Sequence, residues 1–150
     1  MTTPIPLESY YDSIHARLGA ILGATHAHLG EPSAVMDKDG RAHPYAALYP
    51  SPGWQHGVSL GGDVDQIALT FQVTAAGGDT ARALRAVDRV REALTGFTPS
   101  SPGLCCGHLA EVDSYDPGPL RIGRDVQPAR YYAPLLWTGL IWLPEGGTTP

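Results

Sequence analysis

The sequence predicts an α+β fold, in which an antiparallel or mixed β-sheet carries two main helices on one face. Three stretches of the chain lead to this prediction. Residues 65–74 alternate apolar and polar side chains, which is the pattern of a strand with one buried face. Residues 79–95 and 7–22 repeat their apolar side chains at helical spacing instead.

The stretch at 65–74 is the predicted centre of the sheet. Its side chains point alternately to two faces, with Ile67, Leu69, Phe71 and Val73 on one and Gln66, Ala68, Thr70 and Gln72 on the other. The alternation stops at Gly77-Gly78, a pair that tolerates the backbone angles of a tight turn. We therefore expect the chain to turn here and to continue as a helix on the apolar face of the strand.

The helix that follows is predicted to begin after Asp79, whose carboxylate can cap the free amides of the first turn. Gly96 stands where a C-terminal glycine would end it. The predicted buried stripe consists of Ala83, Val87, Val90 and Leu94, widened by Leu84 and Ala86. Arginines lie mostly off this stripe and predict a solvated, ion-paired face: Arg82, Arg85, Arg89 and Arg91. Phe71 and Val87 are expected to share one core.

The N-terminal helix is predicted from Leu7 to about Gly23, after a loose leader at residues 1–6. Its apolar face consists of Leu7, Tyr10, Tyr11, Ile14, Leu18, Ile21 and Leu22. Residues 25–32 are a connector without a clear pattern. The turn Asp37-Lys38-Asp39-Gly40 lies between short apolar runs and predicts a hairpin. It is not a calcium loop of the EF-hand type, since Ala42 and Leu48 occupy the required Gly and Glu positions.

The rest of the chain alternates between predicted loops and strands. Residues 51–63 form a glycine-rich loop with Trp54 and His56, and residues 97–108 form a second loop. Short strands are expected within 109–115 and, as a strand or loop, within 120–126. Residues 129–143 predict a last strand that is apolar on both faces, as in a sheet centre or under another subunit.

Within this last strand, Pro134 and Gly139 predict a bend or bulge. We expect a single domain over residues 1–143, followed by a flexible C-terminal tail at 144–150.

Composition excludes several classes of function. The 150 residues carry a net charge of −5 and one lysine, without the basic run typical of nucleic-acid binders. An apolar run long enough to span a bilayer and a signal peptide are both missing from the sequence, so we expect a cytoplasmic location.

The residues that could carry chemistry do not form a recognisable site in the sequence. The histidines and the adjacent Cys105 and Cys106 lack the spacing of zinc ligands, so we expect no metal and no cofactor. A phosphate loop is excluded at Gly77-Gly78, because the required lysine is missing. No nucleophile elbow or acid–base pair emerges, and we expect no enzymatic activity.

Several local phrases then connect the chain to a known family. They are His43-Pro44-Tyr45 and Leu48-Tyr49-Pro50-Ser51-Pro52-Gly53 after the Asp-Gly turn, Phe71-Gln72-Val73-Thr74, Ala86-Val87-Asp88-Arg89-Val90-Arg91 with Ala93-Leu94, and Arg124-Asp125 leading to Tyr131-Tyr132-Ala133-Pro134. In these phrases and in element order, most of the chain resembles the tail-terminator (minor tail) proteins of long-tailed bacteriophages, especially those that infect actinobacteria. Cys105-Cys106 and the apolar end at 140–143 depart from the family pattern.

The resemblance implies a virion protein that forms a ring, a hexamer in the family, at the neck-proximal end of the tail. Such a ring caps the tail tube, ends its polymerisation and joins it to the head-closure or connector protein. It would form in the host cytoplasm, without binding a membrane or a specific nucleic-acid sequence, although DNA could pass through its lumen. Two alternatives stay open: another phage neck protein, and a small ligand-binding domain or enzyme that uses the aromatic segment and the loop histidines.

The residues themselves predict a subunit interface on the sheet face that lacks helices. This face would carry hydrogen-bonding side chains from the central strand and apolar ones from the last strand. Such a strip is an unusually large apolar patch for a lone monomer. The predicted interface residues are Gln66, Thr70, Gln72, Tyr132, Leu136 and Trp142, with Thr74 and Leu140 on the same face.

Overall fold

The computed structural model describes residues 5–58, 64–124 and 128–144. Within these ranges, two α-helices, α1 (Glu8–Leu22) and α2 (Thr80–Leu94), and a short 3-10 helix (Ala24–His26) accompany a mixed eight-stranded sheet. The strands are β1 (Ala27–Leu29), β2 (Tyr45–Tyr49), β3 (Trp54–Val58), β4 (Val64–Gly77), β5 (Cys105–Cys106), β6 (Ala110–Glu111), β7 (Arg121–Gly123) and β8 (Arg130–Trp142). The α+β prediction is confirmed.

The two longest strands, β4 and β8, form the antiparallel centre of the sheet. On one edge of β4, β3 pairs with its N-terminal half and β2 with its C-terminal half. Strand β1 pairs with β2 in parallel, which makes the sheet mixed. On the far edge of β8, the short strands β5, β6 and β7 pair in succession.

The predicted bulge in the last strand is wrong, because β8 keeps one register with β4 across Pro134 and Gly139. Val112 N–H donates to Leu136 O, so the backbone groups of the even-numbered residues of β8 point away from β4. The backbone of Pro134 points to the edge of β8 that carries the short strands. It lies there in the gap between the residues that pair with β7 and those that pair with β6. Its missing N–H therefore removes no bond from the central ladder.

Both helices pack on one face of the sheet and build the main core there. The strands contribute Ala46 and Leu48 of β2, Ile67, Leu69, Phe71, Val73 and Ala75 of β4, and Ala133, Leu135, Trp137 and Ile141 of β8. Phe71 and Val87 belong to the same buried cluster, as predicted. The Tyr11 ring meets the Phe71 ring edge to face, with 5.6 Å between centroids.

The helix ends follow from local chemistry. Asp79 Oδ1 accepts a hydrogen bond from Arg82 N at 2.8 Å and caps α2. Gly23 follows α1 with φ of 105°, and Gly96 follows α2 with φ of 73°, angles that favour glycine. Leu84 corrects the predicted stripe, since it is 50% exposed. It lies on the same solvent-facing arc as Ala81, Arg85 and Asp88.

Short strands account for the remaining differences. The predicted loops at 51–63 and 97–108 contain β3 and β5, and the connector at 25–32 contains β1. The strands expected within 109–115 and 120–126 shorten to β6 and β7. These segments are too short to show a period of their own, and the long strands beside them provide their hydrogen bonds.

The predicted ends of the chain lie partly outside the described residues. Within the predicted leader, Ile5 is 9% exposed and belongs to the main core. Residues 1–4 and 145–150, and with them most of the predicted tail, lie outside the described part of the chain. Among the described residues, none of the helices is both long and apolar enough to cross a membrane.

Candidate functional site

The helix-free face of the sheet brings the predicted interface residues together. Strand alternation places their side chains on one side, and the register sets them in cross-strand pairs. From one end to the other, these pairs are Gln66 with Trp142, Ala68 with Leu140, Thr70 with Thr138, Gln72 with Leu136, Thr74 with Pro134, and Ala76 with Tyr132. All six predicted residues therefore lie on one continuous surface, although they come from opposite parts of the chain.

This surface has two chemically different halves. The β4 half carries amides and hydroxyls, and Gln72 Nε2 donates to Thr74 Oγ1 at 2.8 Å. The β8 half carries Leu136, Leu140 and Trp142, which are all half-buried, while Thr138 is exposed. A partner surface could therefore both accept hydrogen bonds and cover apolar area at this face.

One end of the face is covered by the chain itself. Ala42, Tyr45 and Ala76 form a small buried cluster, with Ala34 and Tyr132 packed against it. Arg130 lies over the Tyr132 ring at 5.1 Å from its centroid. Tyr132 thus already has partners within its own subunit, and the freely accessible part of the face runs from Thr74 to Gln66 on β4.

The cover is the hairpin around the Asp-Gly turn. The predicted turn is confirmed, but the apolar run that follows it, Tyr45–Tyr49, is β2 and pairs with β1 and β4 instead of with residues 34–36. Met36 and Ala42 form an antiparallel bridge, and Gly40 at the turn has φ of 74°. Asp37 Oδ1 accepts hydrogen bonds from Asp39 N at 2.9 Å and from Arg41 N at 3.3 Å. These bonds to its own backbone hold the turn closed.

Arg82 ties this hairpin to the start of α2. Its Nε and Nη2 both lie 2.6 Å from Asp37 Oδ2, and Nη2 lies 3.0 Å from Asp39 Oδ2. Nη1 pairs with Asp79, the capping residue of the same helix. The sequence predicts Arg82 as one of several solvated arginines, and this is wrong because its partners Asp37 and Asp39 lie far away in the chain.

Arg82 and its three aspartate partners, Asp37, Asp39 and Asp79, form the Arg82 clamp. The pKa values of Asp37 and Asp79 are lowered. For Asp79, the hydrogen bond from the Arg82 backbone N–H is the main cause, and the Arg82 guanidinium adds to it. For Asp37, desolvation raises the pKa, but the hydrogen bonds from Arg82 and the hairpin amides outweigh it. Both carboxylates therefore stay ionised below the ordinary aspartate pKa of 3.8.

We expect Arg82→Gln to reduce the loss of thermal stability at low pH that this clamp produces. Because both pKa values lie below 3.8 in the folded state, the stabilisation is complete above that value and is lost as the pH falls through the lowered pKa. The measurement is thermal unfolding between about pH 2 and 6, a range that brackets an aspartate pKa. Arg121→Gln, at an exposed position of β7, is the control. An identical pH profile for Arg82→Gln and the unmodified protein would contradict this role.

Histidine and cysteine side chains do not form a metal site in the described part of the chain, where no group of three or more potential ligands converges. The expectation that no metal or cofactor binds stays a prediction. Cys105 and Cys106 are free thiols on β5, and burial raises the pKa of Cys106. His108 lies beside Thr98. Four other histidines, His15, His26, His28 and His43, gather near the end of α1, which their sequence spacing did not indicate.

No known protein family matches the sequence, and no curated protein matches it either. Among solved structures, a chain described as "Virion of native gene transfer agent (GTA) particle" aligns with a TM-score of 0.59 at 13% identity, over 93% of this chain and 99% of that chain. A second solved chain is 19% identical over 92% of this chain and 94% of its own, with a TM-score of 0.49. The first likeness shows a shared fold over nearly the full length of both chains.

Proposed function

We propose that this protein is a structural subunit of a phage-type virion, and that it acts as a tail terminator. In this function, copies of the chain close into a ring, a hexamer in the family it resembles. The ring caps the finished tail tube and presents it to the head-closure or connector protein. The subunit acts through its shape and its contacts, without catalysis.

The observation that carries this proposal is the fold shared with a chain of a gene transfer agent virion, which covers 93% of this chain and 99% of the other. The sequence phrases that resemble tail terminators support the finer assignment. The likeness in fold is equally compatible with another neck protein, so the experiments below separate the two.

The helix-free face supports assembly into a ring. Cyclic rings use head-to-tail contacts, in which one surface of a subunit meets a different surface of its neighbour. Here one surface would be the strip around Gln66, Thr70, Gln72, Leu136 and Trp142. Trp142 is the best anchor in this strip, because Trp is enriched among the residues that dominate binding energy. Tyr132 would contribute at the margin, where the hairpin already covers part of its ring.

One end of the sheet is suited to contact the tail tube or the neck. Trp54 of β3 pairs with Ala68, and Cys105 of β5 pairs with Trp142, so both segments flank the same end from opposite edges. Trp54 is 72% exposed in the subunit. We expect the segments around Trp54 and Cys105 to project beyond the ring toward the next component.

We expect Thr70→Arg to abolish ring formation while leaving the subunit folded. Thr70 is exposed at the centre of the helix-free face, so a charged side chain can extend into solvent in the monomer but meets the neighbour in the ring. Electron microscopy of the purified variant with tail tubes measures the loss. Ala20→Arg, on the exposed side of α1, should leave ring formation unchanged. Normal rings formed by Thr70→Arg would exclude this face as the interface.

Removal of the gene separates a terminator from a connector. Without a terminator, tube polymerisation has no end point, so tails of uncontrolled length are expected. Without a connector, tails of normal length should accumulate unattached to heads. Micrographs of lysates from the deletion, measured for tail length, decide between the two functions, and normal lengths would overturn the terminator assignment.

A further inference from the structure

Four histidines from different segments of the chain meet beside the end of α1. His15 lies on α1, His26 in the 3-10 helix, His28 on β1, and His43 just before β2. His15 Nε2 is 3.0 Å from Ala27 O. The rings of His26 and His43 stack with centroids 3.9 Å apart and planes 13° apart. The His28 ring meets the Tyr45 ring edge to face at 6.0 Å.

The four rings differ in what could stabilise a positive charge. His15 Nε2 and His43 Nδ1 each lie 3.0 Å from a backbone carbonyl oxygen, those of Ala27 and Pro44. His26 Nδ1 and His28 Nε2 are buried without a hydrogen-bond partner among the described residues. From α2, Arg85 and Arg89 line a cavity of about 130 Å³ together with His43. In the described part of the chain, none of the carboxylates forms an ion pair with a histidine. A proton added to His26 or His28 would therefore meet only neutral or cationic neighbours.

The pKa values of these histidines agree with this arrangement. Burial lowers the pKa of His26, and the neighbouring His43 and His28 lower it further. Burial also lowers the pKa of His28, with His15 adding to the effect. Both groups therefore stay neutral in the closed structure at pH values where a free histidine begins to charge.

The stacked rings of His26 and His43 join two points of the chain, and the segment between these points would be loosened if the rings separated. His26 and His43 stand on either side of the segment that contains β1 and the hairpin, so their contact closes the base of this segment. The Arg82 clamp holds the same segment near its tip, through Asp37 and Asp39. Backbone bonds also hold the segment, through the pairing of β1 with β2 and from Gly78 N–H to Ala42 O. The stack and the clamp add titratable groups to these bonds, histidines at the base and carboxylates at the tip.

We propose that the four histidines form a pH-sensitive latch on residues 24–45. Protonation of His26 separates its ring from that of His43, and protonation of His28 weakens its contact with Tyr45. Both loosen the base of the segment, while the Arg82 clamp still holds the hairpin tip. Release of the tip requires stronger acid, because the pKa of Asp37 is lowered and its carboxylate stays ionised to a lower pH. Opening at the base loosens the cover over Tyr45 and Ala76 on the helix-free face.

The direction of the pH effect follows from proton linkage. The pKa of His26 and His28 is below 6.5 in the closed form and returns toward that value on opening. The open form therefore binds more protons, so the closed form is favoured above pH 6.5 and loses stability as the pH falls through the lowered pKa. Each histidine contributes about a tenfold change in the opening equilibrium for every unit by which its pKa is lowered.

Hydrogen exchange followed by mass spectrometry, corrected for the intrinsic pH dependence of exchange, tests the latch in the full chain. Between about pH 7.5 and 5, a range that brackets the ordinary histidine pKa, amides in 24–45 should lose at least about tenfold of their protection. Amides of β4 and β8 should keep theirs. Unchanged protection across 24–45, or equal loss throughout the sheet, would overturn the proposal.

Two variants separate titration from packing. His26→Phe keeps an aromatic ring against His43 but cannot be protonated, so loss of protection should move to lower pH. His108→Phe, at the site beside Thr98, should leave the profile unchanged. A His26→Phe profile identical to that of the unmodified protein would refute the latch. Nuclear magnetic resonance titration of the unmodified protein provides a test that needs no variant, and a His26 pKa at or above 6.5 would overturn it.

Discussion

Phe71→Ala should lower the free energy of unfolding of the isolated subunit by about 3–5 kcal/mol, the usual cost of removing a fully buried aromatic ring. Phe71 is 2% exposed at the middle of β4. Its ring contacts Tyr11 of α1 edge to face, and its cross-strand partner Trp137 is completely buried. The neighbouring side chains cannot easily fill the cavity that the missing ring would leave, because they are fixed on the surrounding strands and helices. Urea unfolding of both proteins, with equal slopes, measures the difference.

The neighbouring position provides the matched control. Thr70 belongs to the same strand but points to the opposite face and is exposed. Thr70→Ala should therefore change the stability of the monomer by no more than about 0.5 kcal/mol, as is typical of surface substitutions. If the two changes lowered the free energy of unfolding equally, the face of β4 that carries Thr70 would have to be buried in the monomer as well as the face that carries Phe71.

Gly139→Ala should destabilise the protein by about 1–3 kcal/mol through overpacking, although it adds a single methyl group. A Cβ at this position would overlap the Tyr10 hydroxyl and would lie 2.9 Å from Leu109 Cδ2. Tyr10 is completely buried and cannot move aside cheaply. The glycine thus allows the Tyr10 ring of α1 to lie directly against the backbone of β8.

A double-mutant cycle with Tyr10→Phe tests this contact. Tyr10 Oη has no hydrogen-bond partner among the described residues, so its removal alone should be close to neutral or slightly stabilising. Without the hydroxyl, the nearest remaining atom of the ring would be Cζ at 3.5 Å, an ordinary contact. Gly139→Ala should then cost about 1 kcal/mol less in the Tyr10→Phe background, a coupling typical of residues in contact.

Gly107→Ala is the control for this cycle, because its added Cβ would meet only ordinary contacts, the nearest being Trp142 Cζ3 at 3.7 Å. It should show no coupling to Tyr10→Phe. If the changes in unfolding free energy for Gly139→Ala and Tyr10→Phe were additive, the Tyr10 hydroxyl would not be the reason that position 139 needs a glycine.

The sequence by itself determined the elements whose periodicity is long enough to read. Alternation over β4 identified its buried and open faces, and helical spacing identified the buried sides of α1 and α2. Asp79, Gly23 and Gly96 marked helix ends because capping depends on a few neighbouring residues. The predicted interface strip also emerged from alternation alone, since the faces of β4 and β8 follow from their period of two.

Only the tertiary structure decided which distant residues meet. The short strands β1, β3 and β5 exist because β2, β4 and β8 satisfy their backbone groups, and their own sequences carry no period. The unbroken pairing of β8 with β4 through Pro134 depends on which edge its missing N–H faces. The Arg82 clamp and the histidine cluster join residues that lie far apart along the chain. Their charges, pKa values and stacking depend on distances that the fold sets, so no local pattern could reveal them.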